Sequence, residues 1–325
     1  MKRILMLLPL VISVVLLVAQ APSKRSHNSD DGSIFQRLVG SKTSPVTYRG
    51  SLASDFGAPL AVVASESGEV FVADTGNSVV KRFSRTGTLE NIIGRKGDNS
   101  ADPKDGDLFY PVGLAIGPNG ALYVSDLLSS KVSVFSPGGQ FLFFFGKNEE
   151  GGNPFKAPVG LQYRDGYFYV SDVGKSKVMV LGLDGSLVRE LGNGYGFGQG
   201  NLAYASYACI DAEGNVWVSD SNNSRVQVFD RSGAVAKIMY LTTEKSDMSL
   251  PRGVAHDHLG YLHVANALGH RIDVINQAGK RVFSYGESGT QPGQFGFPNG
   301  ISIAGKMIYI TDRANNRVQI WEHTG

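Results

Sequence analysis

An all-β fold of six four-stranded blades, a β-propeller, is what this sequence predicts, and three observations carry the expectation. The stretch 214–233, GNVWVSDSNNSRVQVFDRSG, reads as an apolar strand, an Asp-led polar turn, a second apolar strand and a Gly turn. The same pattern surrounds Asp74, Asp126, Asp172, Asp220, Asn266 and Asp312, with gaps of 52, 46, 48, 46 and 46 residues. The chain also holds 41 glycines in 325 residues, as many tight turns require. Short strands repeated at such a period are the signature of propeller blades. Length alone suggests two domains, but blades that pack only on their neighbours escape the usual single-core size limit.

The N-terminus reads differently. Lys2 and Arg3 precede an apolar run, 4–18, and Ala19-Gln20-Ala21 supplies a small-x-small cleavage site. Residues 1–21 therefore read as a secretory signal peptide. The run is short for a transmembrane helix. Pro22, directly after the cut, keeps an uncleaved membrane anchor as the alternative. Residues 22–30 read as a polar linker, and the propeller occupies 31–325. Export implies a periplasmic or extracellular protein, with membrane attachment only if the leader stays. Cleavage removes Lys2 and Arg3 from a formal charge of +2, leaving the mature chain near zero. That balance argues against a nucleic-acid partner, because such binding is driven by basic surface and counterion release. Cys209, the one cysteine, sits in an apolar run and reads as a buried small side chain.

Each blade should open its innermost strand near Pro59, Pro111, Pro158, Ala205, Pro251 or Pro298, since a first strand residue can lack a ladder donor. The outermost strands should end near Gly94, Gly146, Gly192, Tyr240 and Gly286. The final repeat stops at residues 322–325, where its fourth strand should begin. Residues 31–40, DGSIFQRLVG, look like the missing strand and end at Gly40. The expectation is that this segment completes the last blade and removes an exposed edge. The outer strand 141–145, FLFFF, has no polar alternation, as expected of a sheet packed on both faces.

A base follows the turn Asp by five residues at Asp126/Lys131, Asp172/Lys177, Asp220/Arg225 and Asp312/Arg317. Because the pair recurs with the repeat, a structural role is expected, with Asp accepting backbone N–H bonds and pairing with the base. Blade one breaks the rule with Val79, and blade five carries Asn266 and Arg271.

The copies DSNNSRVQVF (220–229) and DRANNRVQIW (312–321) resemble the NHL-repeat family, and the chain looks like an exported bacterial member. That resemblance implies a six-bladed propeller, and the family includes an amidating lyase that holds zinc through histidines from different blades. Here His256, His258 and His263 lie in one blade. Residues aligned with His256 are Ala64, Ile116, Tyr163, Ile210 and Ile303. Three convergent ligands from separate blades are therefore not expected, nor a metal or cofactor. Asp98, Asp102, Asp105 and Asp107 do not follow the helix-flanked calcium spacing and read as a solvated loop.

Function must come from what breaks the repeat. Tyr207 replaces the glycine of Gly113, Gly160, Gly253 and Gly300, and Arg252 and Asn299 stand one place earlier in their blades. Tyr207, Arg252 and Asn299 are thus channel-mouth candidates, unless Tyr207 merely plugs the channel. The two longest connectors, 41–58 and 95–110, flank blade one and carry Tyr48, Phe56, Phe109 and Tyr110. These aromatics are the candidate partner-binding rim. The favoured reading is an exported, non-catalytic propeller that binds a protein or glycan through its loop face. The alternative, implied by the family resemblance, is a lyase or lactonase-like hydrolase at the channel mouth. No catalytic residue stands out.

Overall fold

Each repeat folds as the spacing of its turns dictates. In blade four, strands Ala205–Ile210, Val216–Asp220, Arg225–Phe229 and Val235–Tyr240 pair in sequence order as an antiparallel sheet. The computed structural model describes residues 45–148, 150–241 and 249–324, and contains five such four-stranded meanders plus a sixth closed differently. The innermost strands meet one another around the axis, and Ala61–Ala64 of blade one lies against Pro298–Ala304 of blade six. The fold is a six-bladed β-propeller.

Neighbouring sheets bury apolar faces between them. Blades two and three share Tyr123, Phe145 and Phe168, with Tyr123 and Phe168 ring centres 4.1 Å apart. At the axis the blades come so close that their backbones touch. A Cβ on Gly113 would lie 1.9 Å from the Val159 carbonyl oxygen, and one on Gly160 would lie 2.4 Å from that of Ser206. Glycine is required there by close approach of two backbones.

Closure differs from the sequence expectation in one respect. Residues 31–40 lie outside the described residues. The edge beside Arg317–His323 is taken by Val46–Leu52, which runs antiparallel with Val46 opposite His323 and Leu52 opposite Val318. Leu52 fills the place that Ile93, Phe145 and Leu191 fill at the end of the fourth strand in blades one to three. The template misled because those strands end on a positive-φ glycine, whereas Leu52 is followed by Ala53. The seam is also sewn by side chains. Thr311 Oγ1 donates to the Leu60 carbonyl at 3.1 Å, and Ala64 N–H donates to Ser302 Oγ at 3.0 Å. A second difference lies on the outside. Leu142 and Phe143 of Phe141–Phe145 are exposed, because an outermost strand twists clear of its neighbours.

Val46 and Leu52 are buried, and side chains of that size contribute roughly 1.5–3 kcal/mol each. A chain starting at Ala53 should therefore lose at least about 3 kcal/mol, or ~6 °C of melting temperature, and self-associate through the bared edge. An unchanged melting curve and a monomer by light scattering would contradict this closure.

Candidate functional site

The face carrying the Asp-led turns is built by two repeated contacts. The turn aspartates Asp74, Asp126, Asp172, Asp220 and Asp312 are completely buried. Each accepts backbone N–H bonds from the connector that enters its own blade. Asp74 takes Gly57, Asp126 takes Phe109 and Tyr110, Asp172 takes Lys156 and Ala157, Asp220 takes Ala203, and Asp312 takes Gly296. Four residues on, every blade has a non-glycine residue in the left-handed region: Ser78, Ser130, Ser176, Ser224, His270 and Asn316. Polar side chains tolerate this conformation best. All but Ser176 bond the connector of the following blade. Ser78 reaches the Phe109 carbonyl, Ser130 that of Lys156 and Ser224 that of Ser249, while His270 and Asn316 accept from Phe297 and Ala58 N–H.

The base follows the expected pattern only in part. Arg225 and Arg317 pair with Asp220 and Asp312 at 2.7 and 2.8 Å. In blade one Lys81, not residue 79, pairs with Asp74 at 2.7 Å. Blade five moves the acid. Asn266 donates to Asp273, which pairs with Arg271 at 2.8 Å. Lys131 and Lys177 turn away, to the Phe144 ring and to Glu190, leaving Asp126 and Asp172 held by backbone and hydroxyl donors.

Around the channel mouth the blades divide into two halves. Leu60, Val112 and Val159, from blades one to three, cluster with Tyr110, Leu127 and Val173. Tyr207 reaches from blade four across the axis, its hydroxyl donating to the Val112 carbonyl at 2.7 Å and lying 3.4 Å from that of Leu60. Burial drives the phenol pKa upward, so it stays a neutral donor. Tyr207 is thus a plug. Arg252 stays at the mouth, its guanidinium 4.9 Å from the centre of the Tyr204 ring and donating to Ser206 Oγ at 3.2 Å. It has no carboxylate partner among the described residues. Burial raises the Tyr110 phenol against the opposing charges of Arg313 and Arg252, which lie near it. Asn299 is half-buried on the same side.

The four proposed rim aromatics do not form a raised surface. Phe56 is buried against Phe83, with ring centres 5.8 Å apart, and Tyr48 packs edge-on against Trp321. Seven residues of the long first connector, Val46–Leu52, are the closing strand. Phe109 and Tyr110 are half-buried under Asp126. The acidic connector does not converge either, since Asp107 is buried against Arg95 and Asp102 pairs with Lys104.

Exposed aromatics occur instead on the connector entering blade four. Tyr195 and Phe197 are 70% and 71% exposed, with ring centres 6.0 Å apart. The loop beneath them is fixed: Arg225 donates to the carbonyls of Phe197, Gly198 and Asn201, and Asn223 to that of Gly196. The signal was in the sequence, where GYGFG places two aromatics between glycines with no apolar neighbours to bury them.

Below Tyr207 the channel widens into a cavity of about 860 Å³ that ends among the first hairpins, beside Arg164, Asp211, Glu213 and His256. Trp217 and Asn215 donate to Asp211. Burial works to raise this carboxyl, but those bonds outweigh it and hold it below the ordinary value. Burial lowers the pKa of His256, whose Nε2 has no hydrogen-bond partner. At the edge of this cavity Asp257, which lines it, and His263 of blade five meet His323 of blade six. The sequence comparison of His256 with its aligned positions missed this cluster, because His323 belongs to a different position of the repeat.

The NHL repeat model matches residues 202–229, the connector end and the first three strands of blade four. Solved structures show the same fold. A catalytically inactive virginiamycin B lyase from Staphylococcus aureus, with quinupristin, is 14% identical, covering 85% of this chain and 99% of its own, with a TM-score of 0.61. A hydrazine synthase of Kuenenia stuttgartiensis is 14% identical over 83% of this chain and 97% of its own, at TM-score 0.57. A protein of unknown function from Bacteroides thetaiotaomicron is 15% identical over 84% and 71%, at TM-score 0.64. The chain is a six-bladed β-propeller carrying an NHL repeat.

Tyr207→Phe should cost about 1 kcal/mol through the lost hydrogen bond. Tyr207→Ala, which empties the axis, should cost roughly 3–5 kcal/mol. Equal losses in denaturant unfolding would show that the ring does not fill the channel.

Proposed function

We propose that this protein is an exported, non-catalytic propeller that binds a protein partner on its turn face. The observation carrying the reading is the pair Tyr195 and Phe197, both largely exposed on a loop that Arg225 and Asn223 hold in place. Exposed aromatics on a pre-ordered loop supply contact area at little entropic cost. Arg252 at the mouth, which pairs with no carboxylate among the described residues, adds with Tyr204 a site for one. An extended segment bearing acidic and apolar side chains satisfies both features. Export rests on residues 1–21, which lie outside the described residues.

A second reading, an enzyme in the hairpin-side cavity, draws on one observation. His256 lines that cavity together with Asp211, and its Nε2 is buried with no hydrogen-bond partner among the described residues. The lyase among the structural neighbours makes that chemistry worth separating from binding.

The test compares the wild-type chain with Tyr195→Ser/Phe197→Ser and with Arg252→Ala. The aromatic double variant should melt within about 0.5 kcal/mol of the wild type, because both rings lie at the surface, and Arg252→Ala should cost about 1 kcal/mol through its lost bond to Ser206. Proteins crosslinked from the cell envelope by the wild type should bind the aromatic double variant at least ~30-fold more weakly, as expected of a hot spot worth ~2 kcal/mol. Equal affinity would overturn the turn-face site. Binding to purified acidic glycans alone would reassign the partner class, and turnover abolished by His256→Ala would favour the second reading.

A further inference from the structure

We propose that Asp257, His263 and His323 form a structural site for a single divalent cation of the zinc class, which staples blade five to blade six. All three side chains are buried. His263 Nε2 lies 3.3 Å and His323 Nε2 3.7 Å from Asp257 Oδ2, and the three residues each offer a donor atom within 4.8 Å of the others. With bonds of about 2.0–2.1 Å, the ligand–ligand edge of a tetrahedral zinc site is roughly 3.4 Å, so two edges are nearly set already.

The surroundings aim the donors at one point. Asp257 Oδ1 accepts the N–H groups of Leu259 and Tyr261 at 2.9 and 2.8 Å. This fixes the carboxylate and leaves Oδ2 facing the two histidines. His323 Nε2 is buried with no hydrogen-bond partner among the described residues, an arrangement that native interiors rarely leave unfilled. Tyr285 Oη stands 3.1 Å from His263 Nδ1. Coordination through His263 Nε2 places its ring proton on Nδ1, where Tyr285 accepts it, and any proton displaced from Nε2 goes to solvent. That outer bond is the usual support of a metal-bound imidazole. The exposed ring of His258, centred 5.5 Å from that of His323, lies near the open fourth position, which His258 or water can complete.

Two imidazoles and one carboxylate select a borderline transition ion over the oxygen-loving Ca²⁺ and Mg²⁺. His323 also stands opposite Val46 of the closing strand, so the bound ion would reinforce the blade on which ring closure depends. The site lies between blades, clear of Tyr207 and the turn face.

The test uses the whole protein cleared with EDTA and titrated with Co²⁺ alone, followed by displacement with Zn²⁺. One equivalent should bind with the visible bands of a tetrahedral ion and raise the melting temperature. Proton spectra of the Co²⁺ form should show shifted ring N–H signals from histidine ligands. His323→Ala and Asp257→Asn should each weaken binding more than tenfold, and Tyr285→Phe by ~10-fold, the lower end for a supporting group. His270→Asn, away from the cluster, should bind as the wild type does. Absence of a tetrahedral Co²⁺ spectrum in the wild type would overturn the proposal, as would unchanged affinity in His323→Ala. If that variant does not fold, the shifted wild-type signals decide: with none from histidine, the proposal fails.

Discussion

The turn aspartate and the left-handed residue four places after it are the contact on which the rest of the turn face depends. One bonds the connector entering its own blade, and the other bonds the connector entering the next. Each connector bonded from both sides is held between two adjacent blades, so the ring is tied by local polar contacts as well as by its apolar faces. The aspartates are completely buried, and a buried carboxylate is tolerated only when its acceptor capacity is filled. Connector N–H groups, themselves in need of partners, fill it. At the seam the same device works without modification, because Asn316 accepts from Ala58 across the join between the chain's two ends.

Regularity of this kind supplies a scaffold, and its local departures supply the candidate site. Where the base is arginine, as in blades four and six, its planar head reaches three connector carbonyls as well as the aspartate. Lysine cannot make that fork, and in blades two and three it turns elsewhere. Blade four therefore holds a glycine-rich loop rigidly enough to present Tyr195 and Phe197 to solvent. The glycine-to-tyrosine change at 207 occurs in the same blade. Tyr207 closes the axis, and Arg252 stays at the mouth with no acid beside it among the described residues.

Much of the architecture was legible because it repeats. Six anchors at near-constant spacing fix the number of blades, and the prolines and glycines mark where inner strands begin and outer strands end. The closing strand was misplaced because Gly40 matched the repeat's punctuation while Leu52 lacks a following glycine. Local pattern could not decide which N-terminal segment reaches Val318. Connector length points to Phe56 as a rim residue, yet it packs on Phe83, since a connector shortened by the closing strand lies flat. The Asp257, His263 and His323 cluster was invisible for another reason. Comparing equivalent positions around the ring cannot detect ligands drawn from different strands of neighbouring blades.

If these paired contacts order the turn face, the connector of blade four should be held by Arg225 in particular. Amide hydrogen exchange of Arg225→Met measures this directly, through Gly200, Leu202 and Ala203, whose N–H groups bond Gln227, Gly194 and Asp220. Removing the arginine leaves Asp220 buried without its cation, so stability should fall by roughly 3–5 kcal/mol. Within the native state, exchange should accelerate at residues 193–204 while the strands of blade two keep their relative protection. Exchange in the connector that stays as slow as in the wild type would contradict the account.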